Sequence, residues 1–302
     1  MTKELNINPG IWPVMHTPFA DNGDVDFAAV EALVDFYEES GVSGLFALGL
    51  TGEGATLSDE ERIEISRLIA KRKSKNIQLA SVSNYSDNHA RQIEQARMME
   101  DTGADVIILS LPYLSPETPM YDQLADIADH VSSPLGIYEC PKPVRVFIDL
   151  DALKLLANSG RFVYMKDTCR EMELLERRLD LVSDTKLNLF PAQLGFFPES
   201  VRSGASGFCG CAANVFPVEC KKIFEACRNG EDCDNLFERV RSAYNVLKDA
   251  GWPASCKFAL QRRQIPSTTV CRGRSVDEAT MGRLFDDAGD HRTAILRDML
   301  GR

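Results

Sequence analysis

The chain has 302 residues, enough to bury a large core without help from a disulfide or a metal. Its 34 basic and 45 acidic residues leave a net charge of −11, whereas a nucleic-acid binder needs a basic surface, so no nucleic-acid partner is expected. No apolar run reaches the roughly 20 residues of a membrane span, and the first ten residues lack the apolar block of a signal peptide, so the expectation is a cytoplasmic protein with no membrane partner.

Short apolar runs at 12–16, 44–49, 77–83, 105–111, 135–140, 162–168, 187–192 and 207–213 alternate with helical patterns. Runs that are apolar on both faces suit parallel strands covered by helices. The intervening segments carry helix signals. Phe27, Val30, Val34 and Tyr37 fall on one helical face. Ser58 and Glu61 form a capping box. Asp87 is the expected N-cap of the next helix, with Ala90 and Ile93 on one face of it. Gly41 and Gly103 stand where left-handed helix ends belong. Eight strand–helix units predict a (β/α)8 TIM barrel. Beyond Asn214 the pattern is helical, at about 217–228, 231–249, 253–263 and 276–300. The expected division is a barrel over 1–228 and a C-terminal helical extension over 229–302.

Barrel enzymes place their chemistry at the C-terminal ends of the strands. The second strand ends in Gly49-Leu50-Thr51-Gly52-Glu53-Gly54, a turn whose successive amides can hold an anion. The fifth ends in Tyr138-Glu139-Cys140-Pro141, and its tyrosine can move protons. The sixth, 162–168, contains Lys166 on the same face as Phe162 and Tyr164. An ammonium is costly to enclose unpaired, and a free amine attacks carbonyl carbons. The plain alternative is a lysine at a strand end that reaches water or pairs with a carboxylate. His16 and Gln193, at the ends of strands one and seven, are further polar candidates. No spacing of His, Asp and Glu points to a metal. The nine cysteines include no Cys-x-x-Cys pair and are read as packed thiols, with Cys209 and Cys211 on one face of a strand.

Taken together, the turn around Thr51-Gly52-Glu53, Tyr138-Glu139-Cys140-Pro141 and Lys166-Asp167-Thr168 resemble the dihydrodipicolinate synthase / N-acetylneuraminate lyase family. His16-Thr17-Pro18-Phe19, Ser83-Asn84, Leu111-Pro112-Tyr113, Gly204-Ala205-Ser206-Gly207 and Ala213-Asn214-Val215 extend the likeness from about residue 10 to 270. The resemblance implies a barrel with a helical C-terminus, assembled as a tetramer or dimer, and a Schiff base between a lysine and pyruvate or another 2-keto acid, with no cofactor. It assigns the Schiff-base role to Lys166, the proton shuttle to Tyr138, and the hold on the keto-acid carboxylate to Thr51 and the Gly52 amide. Three positions depart from the family pattern. Leu50 and Leu114 replace relay hydroxyls, and Pro143 stands where the synthases carry a substrate-binding arginine, with Arg145 near but out of alignment. The expected reaction is therefore aldol cleavage, condensation or dehydration of a hydroxylated 2-keto acid. The alternatives are 4-hydroxy-tetrahydrodipicolinate synthase activity or a non-catalytic keto-acid binder.

Overall fold

A computed structural model of the chain describes residues 4–273, 281–282 and 290–301. Eight parallel strands run in chain order around the core: β1 (Gly10–Ile11), β2 (Gly44–Ala47), β3 (Gln78–Val82), β4 (Val106–Ser110), β5 (Leu135–Tyr138), β6 (Phe162–Asp167), β7 (Asn188–Pro191) and β8 (Gly207–Phe208). Strands β2 to β7 form one sheet in that order, and β1 pairs with β8. Backbone bonds close the two seams. Ser206 N and Cys209 N donate to Leu189 O and Pro191 O, while Met15 N and Phe46 N link β1 and β2 through Phe46 O and Pro13 O. The expected (β/α)8 barrel is the observed fold. Closure needs a glycine at Gly207, because a Cβ there would collide with the backbone of Gly10.

Helices α1 (Phe27–Glu39), α2 (Asp59–Arg72), α3 (His89–Glu100), α4 (Met120–His130), α5 (Leu150–Asn158), α6 (Met172–Val182), α7 (Phe197–Arg202) and α8 (Pro217–Asn229) alternate with the strands. The Ser58–Glu61 capping box is present, with Ser58 N donating to Glu61 Oε2 at 2.9 Å and Glu61 N to Ser58 Oγ at 3.2 Å. Val30, Val34 and Tyr37 are buried on α1, and Gly41 and Gly103 are left-handed after their helices. The C-terminal region supplies α9 (Asp234–Gly251), α10 (Ala254–Arg262) and α11 (His291–Met299). The expected helix over 276–300 is described only at 281–282 and from 290 onward; the remainder lies outside the described residues.

Local details differ from the sequence reading. The first strand lies at Gly10–Ile11, ahead of the apolar run. Pro13 has no N–H for a ladder, so the run continues only as a bridge from Val14 to Phe46. The Asn214 amide takes over there, accepting from Val14 N at 2.7 Å and donating to Val14 O at 2.5 Å. The N-cap of α3 is Asn88, one residue after Asp87, and its side chain accepts from Arg91 N. The buried face of α3 is Gln92, Gln95, Ala96 and Met99; Ile93 packs partly buried against the core, and Ala90 is exposed. Strand β8 ends at Phe208, and Cys211 opens a short 3-10 turn, Cys211–Asn214, so the two cysteines do not share a strand.

Aromatic side chains fill the barrel. Tyr164 stacks on Phe190 at 4.5 Å between ring centroids and packs against Trp12 at 4.9 Å. Phe46 meets Tyr138 edge-on at 5.2 Å. This packed layer forms the floor of the site.

Candidate active site

Strand alternation places Lys166 and Tyr138 inside the barrel, one residue short of the ends of their strands or at them. They are register partners on neighbouring strands. Each is only 3% exposed. The Lys166 ammonium position lies 4.3 Å above the Phe46 ring centre and 4.5 Å from that of Tyr138. With the described residues Lys166 Nζ makes neither a hydrogen bond nor an ion pair, so the carboxylate-paired alternative is not what the fold builds. Burial, and next the adjacent Cys140 thiol, push the Tyr138 phenol well above its ordinary value of 10, so it is protonated at neutral pH.

The residues that follow this pair point the other way, toward the helices. Glu139 and Asp167 are both enclosed, and one guanidinium from α6 holds them together. Arg178 donates to Glu139 at 2.7 and 3.0 Å and to Asp167 Oδ2 at 2.5 Å. All three side chains are at most 1% exposed. Burial and the Asp167 charge raise the Glu139 carboxyl above its ordinary value, against the opposing pull of Arg178. Glu139 also accepts from Ile148 N at 3.0 Å and Thr168 N at 3.3 Å. Each strand thus delivers one side chain inward, beneath the barrel mouth, and one anchor outward, and both anchors end on the same cation.

A cleft of about 410 Å³ opens above Lys166 and Tyr138. Thr51 lines it; Gly52 sits just behind, with its carbonyl taken by Thr17 Oγ1 at 2.7 Å. Among the described residues, the backbone N–H groups of Thr51 and Gly52 donate to no protein acceptor. Gly52 is required by space, since a Cβ there would lie 2.9 Å from Met15 O. Thr51 Oγ1 accepts from Trp252 Nε1 at 3.3 Å and lies 3.3 Å from Cys211 Sγ. Glu53, the third residue of the turn, pairs at 3.0 Å with buried Lys257 of α10.

Gln193 and Arg145 also line the cleft. Arg145 reaches it despite its shifted position, donating to Thr168 O at 3.2 Å. His16 does not line it. Its two ring nitrogens are buried without partners among the described residues, and burial holds it well below its ordinary value, hence neutral. Leu50 lines the cleft and is 44% exposed. Leu114 and Pro143 instead face a separate groove with Tyr85 and Tyr113.

The sequence reading missed the contribution of the C-terminal helices. Arg241, Tyr244, Asn245 and Lys248 of α9 form part of the cleft wall. Their spacing of i, i+3, i+4 and i+7 is one face of a helix, and the opposite face, including Val240, Ala243 and Leu247, is buried. A polar stripe on a helix beyond the eighth unit was the available signal. Arg178 also left a trace, because it falls between Leu175, Leu179 and Val182 on the buried face of α6.

The geometry is that of a buried lysine and a tyrosine beneath a cleft whose turn amides have no acceptor among the described residues. The Dihydrodipicolinate synthetase family model matches residues 8–279. A protein of Laribacter hongkongensis (strain HLHK9) named 4-hydroxy-tetrahydrodipicolinate synthase is 30% identical over 252 residues, covering 82% of this chain and 85% of that one. Two solved structures share the fold. CdNal from Clostridium difficile, in complex with mannosamine, has a TM-score of 0.85 at 21% identity, covering 96% of this chain and 99% of that one. YagE from E. coli K12, a prophage protein of the dihydrodipicolinic acid synthase family in complex with pyruvate, has a TM-score of 0.84 at 21% identity, covering 96% and 98%. The match over nine-tenths of the chain, on a barrel that sets Lys166 beside Tyr138, places this protein in the dihydrodipicolinate synthetase family of lyases.

Proposed function

We propose that the protein is a class I lyase in which Lys166 forms a Schiff base with pyruvate or another 2-keto acid. The observation that carries the reading is a buried lysine with no carboxylate partner among the described residues, in register with a protonated tyrosine beneath an open cleft. The Lys166 amine adds to the ketone carbon. Tyr138 donates its proton to the hydroxyl of the carbinolamine, which leaves as water, and an iminium forms. The Tyr138 phenolate then takes the proton of the substrate's C4 hydroxyl as the C3–C4 bond breaks. An aldehyde departs, and the electron pair moves into the enamine. Protonation at C3 and hydrolysis release the second product and restore the amine. The cycle closes without a cofactor. Thr51 and the free Gly52 amide are the groups we assign to the keto-acid carboxylate, supported by their unclaimed N–H donors.

Borohydride added with pyruvate is expected to leave a reduced pyruvyl mass on Lys166, read by peptide mass spectrometry; label on another lysine, or none, overturns the reading. Tyr138→Phe removes the shuttle and is expected to lower kcat by about 10²–10⁴-fold. Steady-state rates check this, and a loss below ten-fold would exclude Tyr138 as the main proton carrier. Turnover of any 2-keto acid excludes the pure binding alternative.

The Laribacter relative's name favours a second reading, 4-hydroxy-tetrahydrodipicolinate synthase. Leu50 in the cleft and Pro143 in the separate groove count against it. Comparable kcat/KM with pyruvate plus aspartate semialdehyde, set against hydroxylated 2-keto acids, would reverse the ranking.

We further propose a homo-oligomer, a tetramer or dimer, in the cytoplasm. Val144 and Phe147, 57% and 42% exposed on the segment after β5, support an interface. The nine cysteines are free, as suits a reducing compartment. Among the described residues no helix is long and apolar enough to cross a membrane. Light scattering is expected to give a multiple of 33.5 kDa; a species at 33.5 kDa alone would refute the oligomer. The division into a barrel of 1–228 and a helical region of 229–302 enters the proposal with both parts serving one site, supported by the α9 residues at the cleft.

A further inference from the structure

Away from the cleft, two of the nine cysteines meet. Cys227 lies in the last turn of α8, and Cys233 stands at the N-cap of α9. The chain turns between them at left-handed Gly230. Their sulfurs are 3.5 Å apart. Among the described residues, no other two cysteine thiols bond to each other. Both side chains are 5% exposed, whereas Cys220 and Cys256 are enclosed entirely. Cys233 lines a surface cavity of about 380 Å³ together with Asp232, Asp234, Asn235, Leu236 and Arg239, so a small uncharged molecule has a way to its sulfur. The two sulfurs differ in their surroundings. Arg202, at the end of α7, donates to Cys233 Sγ at 3.6 Å. Burial, and next the Cys233 thiol, push Cys227 up to about 12, so it keeps its proton at neutral pH. The thiolate is the form of cysteine that attacks, and a neighbouring cation favours it. The pair therefore offers one sulfur beside a cavity and a cation, and a protonated partner in contact with it.

We infer that Cys227 and Cys233 are a dithiol modification site that hydrogen peroxide closes to a disulfide. The inference is independent of the Schiff-base reading. The Cys233 thiolate attacks one peroxide oxygen. An S–O bond forms, the O–O bond breaks, and the second oxygen leaves with a proton as water, which makes Cys233 a sulfenic acid. The Cys227 sulfur then attacks the Cys233 sulfur. The S–S bond forms, the S–O bond breaks, and hydroxide leaves as water with the Cys227 proton. In all, two thiols lose two electrons and one hydrogen peroxide becomes two waters. The sulfurs must close by about 1.5 Å to reach disulfide length. A dithiol reductant reverses the closure by thiol–disulfide exchange, so the site suits a compartment that is reducing at rest. The bond ties the end of α8 to the start of α9, the helix that carries Arg241, Tyr244, Asn245 and Lys248 to the cleft wall.

The test uses the full-length protein, fully reduced and then exposed to hydrogen peroxide under native conditions. Remaining thiols are blocked with N-ethylmaleimide in urea before digestion. Trypsin cuts after Arg228, between the two cysteines, so the disulfide is read by mass spectrometry as peptide 223–228 joined to peptide 229–239. This species is expected to be the major disulfide, two hydrogens lighter than the separate peptides, and to vanish with dithiothreitol. Cys227→Ser removes the partner, so its Cys233 is expected to stop at the sulfenic acid and take dimedone on peptide 229–239. Cys233→Ser is expected to leave Cys227 as a thiol that N-ethylmaleimide blocks. Three results overturn the inference: both cysteines fully blocked after peroxide, a disulfide joining either of them to another cysteine, or oxidation confined to the half-buried Cys211 and Cys271. The unaltered protein gives the deciding result, so a variant that fails to fold does not shelter the inference.

Discussion

Lys166→Met is expected to lower kcat/KM for the preferred 2-keto acid by about 10⁴-fold or more, the scale on which loss of a covalent nucleophile is felt. Methionine keeps most of the volume over the Phe46 and Tyr138 rings, so the fold should survive. Lys166→Arg should be equally inactive, because a guanidinium stays protonated and cannot add to a ketone. Neither variant should be labelled by pyruvate and borohydride. The measurement is a turnover assay beside a thermal melt. A melting temperature close to that of the parent protein with activity within ten-fold of it would mean that Lys166 is not the nucleophile.

Arg178→Met is expected to destabilise the protein by about 3–5 kcal/mol, since it strands two enclosed carboxylates. The pH dependence has a definite sign. The Glu139 carboxyl is already raised by burial and by Asp167, and loss of Arg178 removes the opposing pull. A carboxyl with a higher pKa folded than unfolded favours the folded state when protonated. Its stabilising effect is complete below the ordinary value near 4.5 and is lost as pH rises through the folded value. The deficit of the variant should therefore be smaller near pH 4 than at pH 7. Urea denaturation at the two pH values measures it. The triple change Arg178→Met, Glu139→Gln and Asp167→Asn should recover part of the loss at pH 7. A variant as stable as the parent at pH 7 would show that the guanidinium is not what compensates the pair. Activity should fall as well, because the anchors directly follow Tyr138 and Lys166.

The sequence made the barrel legible because parallel strands buried on both faces write themselves as apolar runs; seven of the eight observed strands fall inside those runs, and all of these but β8 end within two residues of the run at either side. The first run misled because Pro13 breaks a ladder without breaking apolarity. Asp87 misled because two adjacent capping residues, Asp87 and Asn88, offer the same chemistry one residue apart. Lys166, Tyr138 and Thr51 were legible as polar groups at strand ends. Arg178 and the stripe on α9 were not, because their roles depend on partners 11 to 39 residues away or on a helix folding back over the barrel.

The wall contributed by α9 has a consequence for how such a protein diversifies. Arg241, Tyr244, Asn245 and Lys248 reach the cleft from a helix that forms no barrel strand and carries neither Lys166 nor Tyr138. One part of the cleft wall is therefore encoded in a stretch of sequence separate from the strands that carry Lys166 and Tyr138. Four positions on one helical face can be randomised while the strands, the aromatic floor and the Arg178 anchor stay untouched. A library confined to those four codons would sample new acceptors without drawing on the stability of the barrel. A gene that exchanged this helix with a relative would inherit a different preference in one recombination event.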